Sequence, residues 1–318
     1  MLTEVEGHVL PNEGLPTQMS EADSVAESLQ DSPLHWLLLR AGLLAGLGSQ
    51  AEPFAGELGA GRSNRDRSDE RRTCVDAGWP LLFTVRSPGS RSLCVLLRDS
   101  FSEGGTARWT RLHQQASKCE RQLIETFPPG SREAWPRALD LASRLGAEDF
   151  FRRRHARLGL QGRIFSIACP MDDRGLGSSV TWHLDRSSSL VEALSACGAG
   201  NTWPSAAEVL QRLLGRFPSP KYGPWSITCD LCDPVRTRLG TTNWARGPED
   251  DSKRRRFAAT VQSLRGDGRF AEALYRLLES RRHSEPGSAR IGRAVEIEIA
   301  DEKVASVECF LAGNVPCS

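Results

Sequence analysis

The chain is poor in tyrosine, with only Tyr222 and Tyr275 in 318 residues. A site built from a ring of phenols is thereby excluded. It also lacks net charge, because 41 Lys and Arg stand against 40 Asp and Glu. No long-range positive field is available to gather nucleic acid or anionic lipid, so neither is expected as a partner. The apolar run from Trp36 to Leu47 is interrupted by Arg40 and is too short to span a bilayer. A glycine-rich phosphate loop, a dinucleotide fingerprint and a Gly-x-Ser-x-Gly elbow are all missing, which removes support for nucleotide-dependent and serine-hydrolase chemistry. Nine cysteines, odd in number and scattered, read as reduced small apolar residues and not as a disulfide frame. Cys229 and Cys232 have a CxxC spacing, but with no second pair or nearby His neither a metal nor another cofactor is expected. The residues Met1 to Glu6 are acidic and lack the basic-then-apolar start of a secretory signal, so a cytoplasmic protein is expected.

What is present is a globular composition, 39% hydrophobic and 25% charged, on a chain long enough for a full core. The reading is a flexible extension over 1–20 and a single domain over 21–318, with an Arg-, Asp- and Ser-rich connector over 58–73. Four hairpins are predicted along the domain. The first joins Pro80–Val85 to Ser92–Leu97 across Ser87-Pro88-Gly89, and the second joins Arg163–Cys169 to Ser179–Leu184. Pro224–Leu231 turns at Asp233-Pro234 into Arg238–Trp244, and Ala294–Ile299 turns at Asp301-Glu302 into Val304–Leu311. Amphipathic helices are predicted over Glu21–Leu47, Ala107–Thr126, Ser187–Phe217 and Ser252–Glu279. Repetition of helix, strand, strand builds either an open sheet covered on one face or a closed barrel wrapped by helices, and closure removes exposed edges.

The third hairpin, Trp225-Ser226-Ile227-Thr228-Cys229-Asp230 through Asp233-Pro234 to Arg238-Leu239, together with Leu190–Leu194 and Trp203-Pro204, resembles the aromatic (indole) prenyltransferases of the dimethylallyltryptophan synthase type. The resemblance extends over Ser32 to Leu311. It implies an α+β fold: an antiparallel β-barrel of repeated α-β-β-α units, helices outside and the active site in the lumen. A fifth hairpin belonging to that barrel is not evident. The family grips a prenyl diphosphate with a Lys-x-Tyr pair and an Arg-x-Lys-x-Tyr set. Here the matching positions are Thr181 and His183, then Arg238, Gly240 and Thr242, so Arg238 alone survives. Leu82, two residues before Thr84, stands where the family offers a Glu to the indole nitrogen, and Phe310 stands where it has a Tyr.

Strand parity places Trp225, Ile227 and Cys229 outward, which turns Ser226, Thr228 and Asp230 inward. By the same rule Thr181, His183 and Asp185 face in, as do Glu296, Glu298, Glu308 and Phe310. The interior expected is acidic to neutral and unsuited to a diphosphate. Candidate catalytic groups are His183, whose ordinary pKa lies near neutral, Asp230, and the Glu296/Glu298 pair. The bland alternative for the two glutamates is the wet side of an edge hairpin. Arg238 is read as an anion contact or as a partner of Asp230 or Asp233, and Trp244 as a stacking surface or a core anchor. With Leu82, Thr84, Thr181, Thr228, Thr242, Glu308 and Phe310 they make up the expected substrate contacts. The function expected is acid/base-assisted cyclisation or rearrangement of an aromatic, indole-like small molecule. The alternatives are an active aromatic prenyltransferase using dimethylallyl diphosphate, and a non-catalytic barrel that binds a ligand or partner.

Overall fold

In the computed structural model the described residues are 81–87, 90–101, 105–115, 118–171, 177–219, 221, 224–244, 251–280 and 291–313. The predicted extension, first helix and connector lie outside them. Ten strands and six α-helices follow in chain order. Strands β1 (Leu81–Ser87), β2 (Ser90–Phe101), β3 (Ala107–Gln115) and β4 (Lys118–Thr126) come first. Helices α1 (Ala134–Arg144) and α2 (Glu148–Leu158) precede β5 (Gly162–Pro170) and β6 (Ser179–Leu184). Next come α3 (Leu190–Ala196), a single 3-10 turn and α4 (Trp203–Leu214), then β7 (Trp225–Asp230) and β8 (Thr237–Trp244). Helices α5 (Asp251–Ser263) and α6 (Gly268–Ser280) lead to β9 (Ile291–Ala300) and β10 (Lys303–Gly313).

The four predicted hairpins are present, but Ala107–Thr126 is not a helix. It is the hairpin β3–β4, with Trp109 opposite Ile124 and Arg111 opposite Gln122. Its apolar residues fit both periods, and the connecting residues Ala116 and Ser117 carry no glycine or proline to mark a turn. The predicted helices over Ser187–Phe217 and Ser252–Glu279 are each broken in two. Gly215, at φ +70°, closes α4 in the left-handed conformation open to glycine. The Ser189 side chain caps the start of α3, accepting from the Glu192 backbone N–H. The repeat is a helix pair followed by a hairpin, three times over, after a run of four strands.

All pairings are antiparallel, and the hydrogen-bonded order is β1-β10-β9-β8-β7-β6-β5-β4-β3-β2. Strand β1 pairs with β10 on one side and with β2 on the other. One sheet face is apolar: Val180, Trp182, Ile227, Cys229, Val295 and Ile297 are buried in one cluster with Leu141 and Phe151 of α1 and α2, Leu210 of α4 and Phe257 of α5. Fully burying such side chains is worth about 1.5–3 kcal/mol each, so this face takes the helices. Alternation then commits the intervening residues to the opposite, inner face.

Candidate functional site

The inner face is ordered in rungs that cross several strands. Arg86 of β1, Glu308 of β10, Glu296 of β9 and Gly240 of β8 are successive register partners, and the row continues through Ser226, His183 and Arg163. The next rung holds Ser306, Glu298, Arg238, Thr228, Thr181 and Ser166. On the other side of the charged rung stand Thr84, Phe310, Ala294 and Thr242, and beyond them Leu82, Ala312, Gly292 and Trp244. The side chains of Leu82, Thr84, Thr242, Trp244 and Phe310 lie outside the described residues, and backbone register alone gives their positions. With Asp230 one rung further on, opposite Ser179, the candidate residues read from the sequence fall on one face, Asp185 excepted.

Like charges directly opposite destabilise a sheet unless compensated, and Glu296 and Glu308 are opposite one another. Compensation comes from arginines on both sides. Arg238 Nη1 lies 3.1 Å from Glu296 Oε1, although that buried oxygen receives no aligned hydrogen bond. Arg111 Nη2 lies 3.9 Å from Glu308 Oε2. These two residues sit on β3 and β10, with β1 and β2 between them. Three strand spacings of a flat sheet separate backbones by roughly 14 Å, so their contact marks a sheet curled towards this face. Arg236, at the start of the return strand, lies 2.9 Å from Glu298 Oε1, and Ser306 Oγ donates to Glu298 Oε2 at 2.9 Å.

The interior is therefore less cation-poor than the sequence reading held. Arg111 and Arg163 share the inner face with Arg238, and each lining glutamate has an arginine near it. Arg111 was missed because its segment was read as a helix; the signal was the two-residue spacing that puts it on one strand face with Trp109. Arg163 was passed over although it stands opposite His183. Nor does Arg238 pair with Asp230 or Asp233; it reaches Glu296 and the Ser179 hydroxyl.

The other candidates divide. Asp230 Oδ1 accepts the backbone N–H groups of Cys232 and Asp233, so one oxygen shapes the β7–β8 turn. Asp185 is exposed beyond the end of β6 and does not accompany His183 inward. His183 stacks face to face on Phe165, with ring centroids 3.6 Å apart, because a bulge between Ile164 and Ser166 inserts Phe165 on the inner side. Burial, with the Arg163 guanidinium adding to it, pushes the His183 imidazole down to about 4. It is neutral at physiological pH, keeping one ring N–H but carrying no imidazolium proton, whereas the expectation was of a group titrating near neutral. Thr181 and Thr228 share a hydroxyl–hydroxyl hydrogen bond of 2.9 Å in the rung beside Arg238. Gly240 leaves a notch between Ser226 and Glu296; a Cβ there would come within 3.1 Å of the Ser226 hydroxyl.

No group of His, Cys, Asp and Glu suited to a metal occurs among the described residues, and no helix among them is long and apolar enough to cross a membrane. Compared with family models and with curated proteins, the sequence matches none.

Proposed function

We propose that this chain is an enzyme of aromatic-prenyltransferase-like architecture, its sheet acting as a barrel around a small-molecule site, and that it rearranges or cyclises an aromatic, indole-like substrate by proton transfer. The observation that carries this reading is the gradient along the inner face. It runs from Leu82 and Trp244, through Thr84 and Phe310, to the charged rung of Glu308, Glu296 and Arg238. Such a face suits a molecule with an apolar body and one polar end. Glu296 is the proton carrier of choice: its buried Oε1 lacks an aligned donor, and its side chain stands beside the one position of the rung, Gly240, that carries no side chain. Arg238 holds the Glu296 carboxylate, and the neutral His183 with Phe165 forms an aromatic wall further along the rung.

Prenyl transfer from dimethylallyl diphosphate is the second reading, favoured by the sharing of the inner face by Arg111, Arg163 and Arg238. In opposition, those near glutamates are already engaged, and displacing a diphosphate's charge onto them is costly: a unit-charge pair at 4 Å is worth about 4 kcal/mol at an effective dielectric of 20. The two readings part on one experiment. The full-length protein is incubated with an indole panel, free and already prenylated, with and without dimethylallyl diphosphate, and products are read by mass spectrometry. Conversion at unchanged mass, independent of the diphosphate and lowered about 100-fold or more in Glu296→Gln, is expected. Mass gain by one prenyl unit with diphosphate release, abolished in Arg238→Met, would establish the second reading in its place. Saturable binding with no turnover would leave a binding protein.

A further inference from the structure

On the opposite, helix-packed face of the sheet, Cys197 and Cys229 meet. Cys197 directly follows α3, whereas Cys229 is the penultimate residue of β7, and their sulfurs are 3.7 Å apart with both side chains buried. Cys232, which has the CxxC spacing to Cys229, is exposed past the strand end. The geometry points to a reversible dithiol–disulfide site at Cys197 and Cys229, which on oxidation ties the α3 helix to the central strand β7.

A disulfide needs the sulfurs about 2.0 Å apart, so closure asks each to move by less than 1 Å. Two neighbouring elements favour reaction at Cys197. Arg154 of α2 donates to the carbonyls of Ala196 and Pro234, which pins its guanidinium beside the end of α3. The hydrogen bond shared by the two sulfurs, with the Arg154 charge and Thr237, holds the Cys197 thiol below its usual range, while the same bond and burial push Cys229 up. The helix that Cys197 follows is only seven residues long and depends on tertiary packing for its stability, and with Cys197 buried the reaction calls for a small oxidant.

Hydrogen peroxide is such an oxidant. The Cys197 sulfur attacks one peroxide oxygen, the O–O bond breaks, one water leaves and a sulfenic acid forms. The Cys229 sulfur then attacks the Cys197 sulfur, the S–O bond breaks and a second water leaves. Two electrons and two protons pass from the thiol pair to one peroxide, and a dithiol reductant reverses the change.

The test uses the full-length protein treated with hydrogen peroxide, alkylated under denaturing conditions and digested without reduction. A peptide cross-linked between Cys197 and Cys229, released by dithiothreitol, is expected. So is a thermal midpoint raised by several degrees on oxidation, as constraint of the unfolded chain requires, with no rise in Cys197→Ala. In Cys229→Ser the Cys197 sulfenic acid should persist and label with dimedone. A Cys229–Cys232 cross-link would overturn the assignment, as would full alkylation of Cys197 and Cys229 after peroxide has oxidised Cys232.

Discussion

At the scale of single residues, the inner face shows how neighbours override ordinary chemistry. His183 offers an imidazole where proton transfer needs one, yet burial, with the nearby Arg163 adding to it, holds it neutral. The consequence for stability has a definite sign. The unfolded chain binds a proton at His183 below about pH 6.5, the folded chain only below about pH 4, so stability falls as pH drops through that window. A shift of this size amounts to at most about 3 kcal/mol. Urea denaturation between pH 7 and pH 4 should show this loss, and His183→Gln should flatten the curve over the same range. A wild-type curve with no dependence in that window would contradict the assigned burial. Asp230 is the complementary case: read as catalytic from its inward parity, it has one oxygen committed to the turn that follows.

At the scale of elements, the helix layer explains why the inner face can be polar at all. Phe151 of α2 is fully buried and stacks on Trp135 of α1 at 5.0 Å, while the Trp182 ring of β6 lies 6.1 Å away. This aromatic seam joins two helices to the outer side of the strand that carries Thr181 and His183 inward. Phe151→Ala should destabilise the fold by about 3–5 kcal/mol through lost burial and a residual cavity, measured by chemical denaturation. A loss below about 1 kcal/mol would mean that the seam is not packed as described. The hairpin β3–β4 is tied to the same layer differently, through Glu125, which receives Arg108 of β3 and Arg137 of α1. The arginines are half exposed, so this tie orients the hairpin more than it stabilises it.

At the scale of the whole molecule, strand order matters most. The β1–β10 pairing joins segments more than two hundred residues apart, with Thr84 opposite Phe310 and Arg86 opposite Glu308. Non-local pairing of this kind is slow to form, because the intervening chain must be ordered first. A chain ending at Ala300 would lack β10 and expose the edges of both β1 and β9. It should lose cooperative unfolding and aggregate, as unpaired edges do; size-exclusion chromatography and thermal denaturation would show it. Retention of a monomer with a sharp transition would mean that the β10 pairings contribute little.

Much of this was legible in the chain itself. Alternation in Val295-Glu296-Ile297-Glu298-Ile299 and in Trp225 to Cys229 determined which side chains share a face, since a strand has a strict period of two and only one side can meet the helices. Asp301, a residue type that tolerates positive φ, marked a hairpin end, whereas Glu302 takes positive φ against its own preference. What the chain did not disclose was any property set by strands distant in sequence. Arg111 meets Glu308 and Cys197 meets Cys229 only after folding, and the partners of Arg238 depend on which strand lies beside it. Charge balance and proton affinity inside the sheet follow from those meetings, because Coulomb interaction and desolvation depend on distance in space and not on separation along the chain.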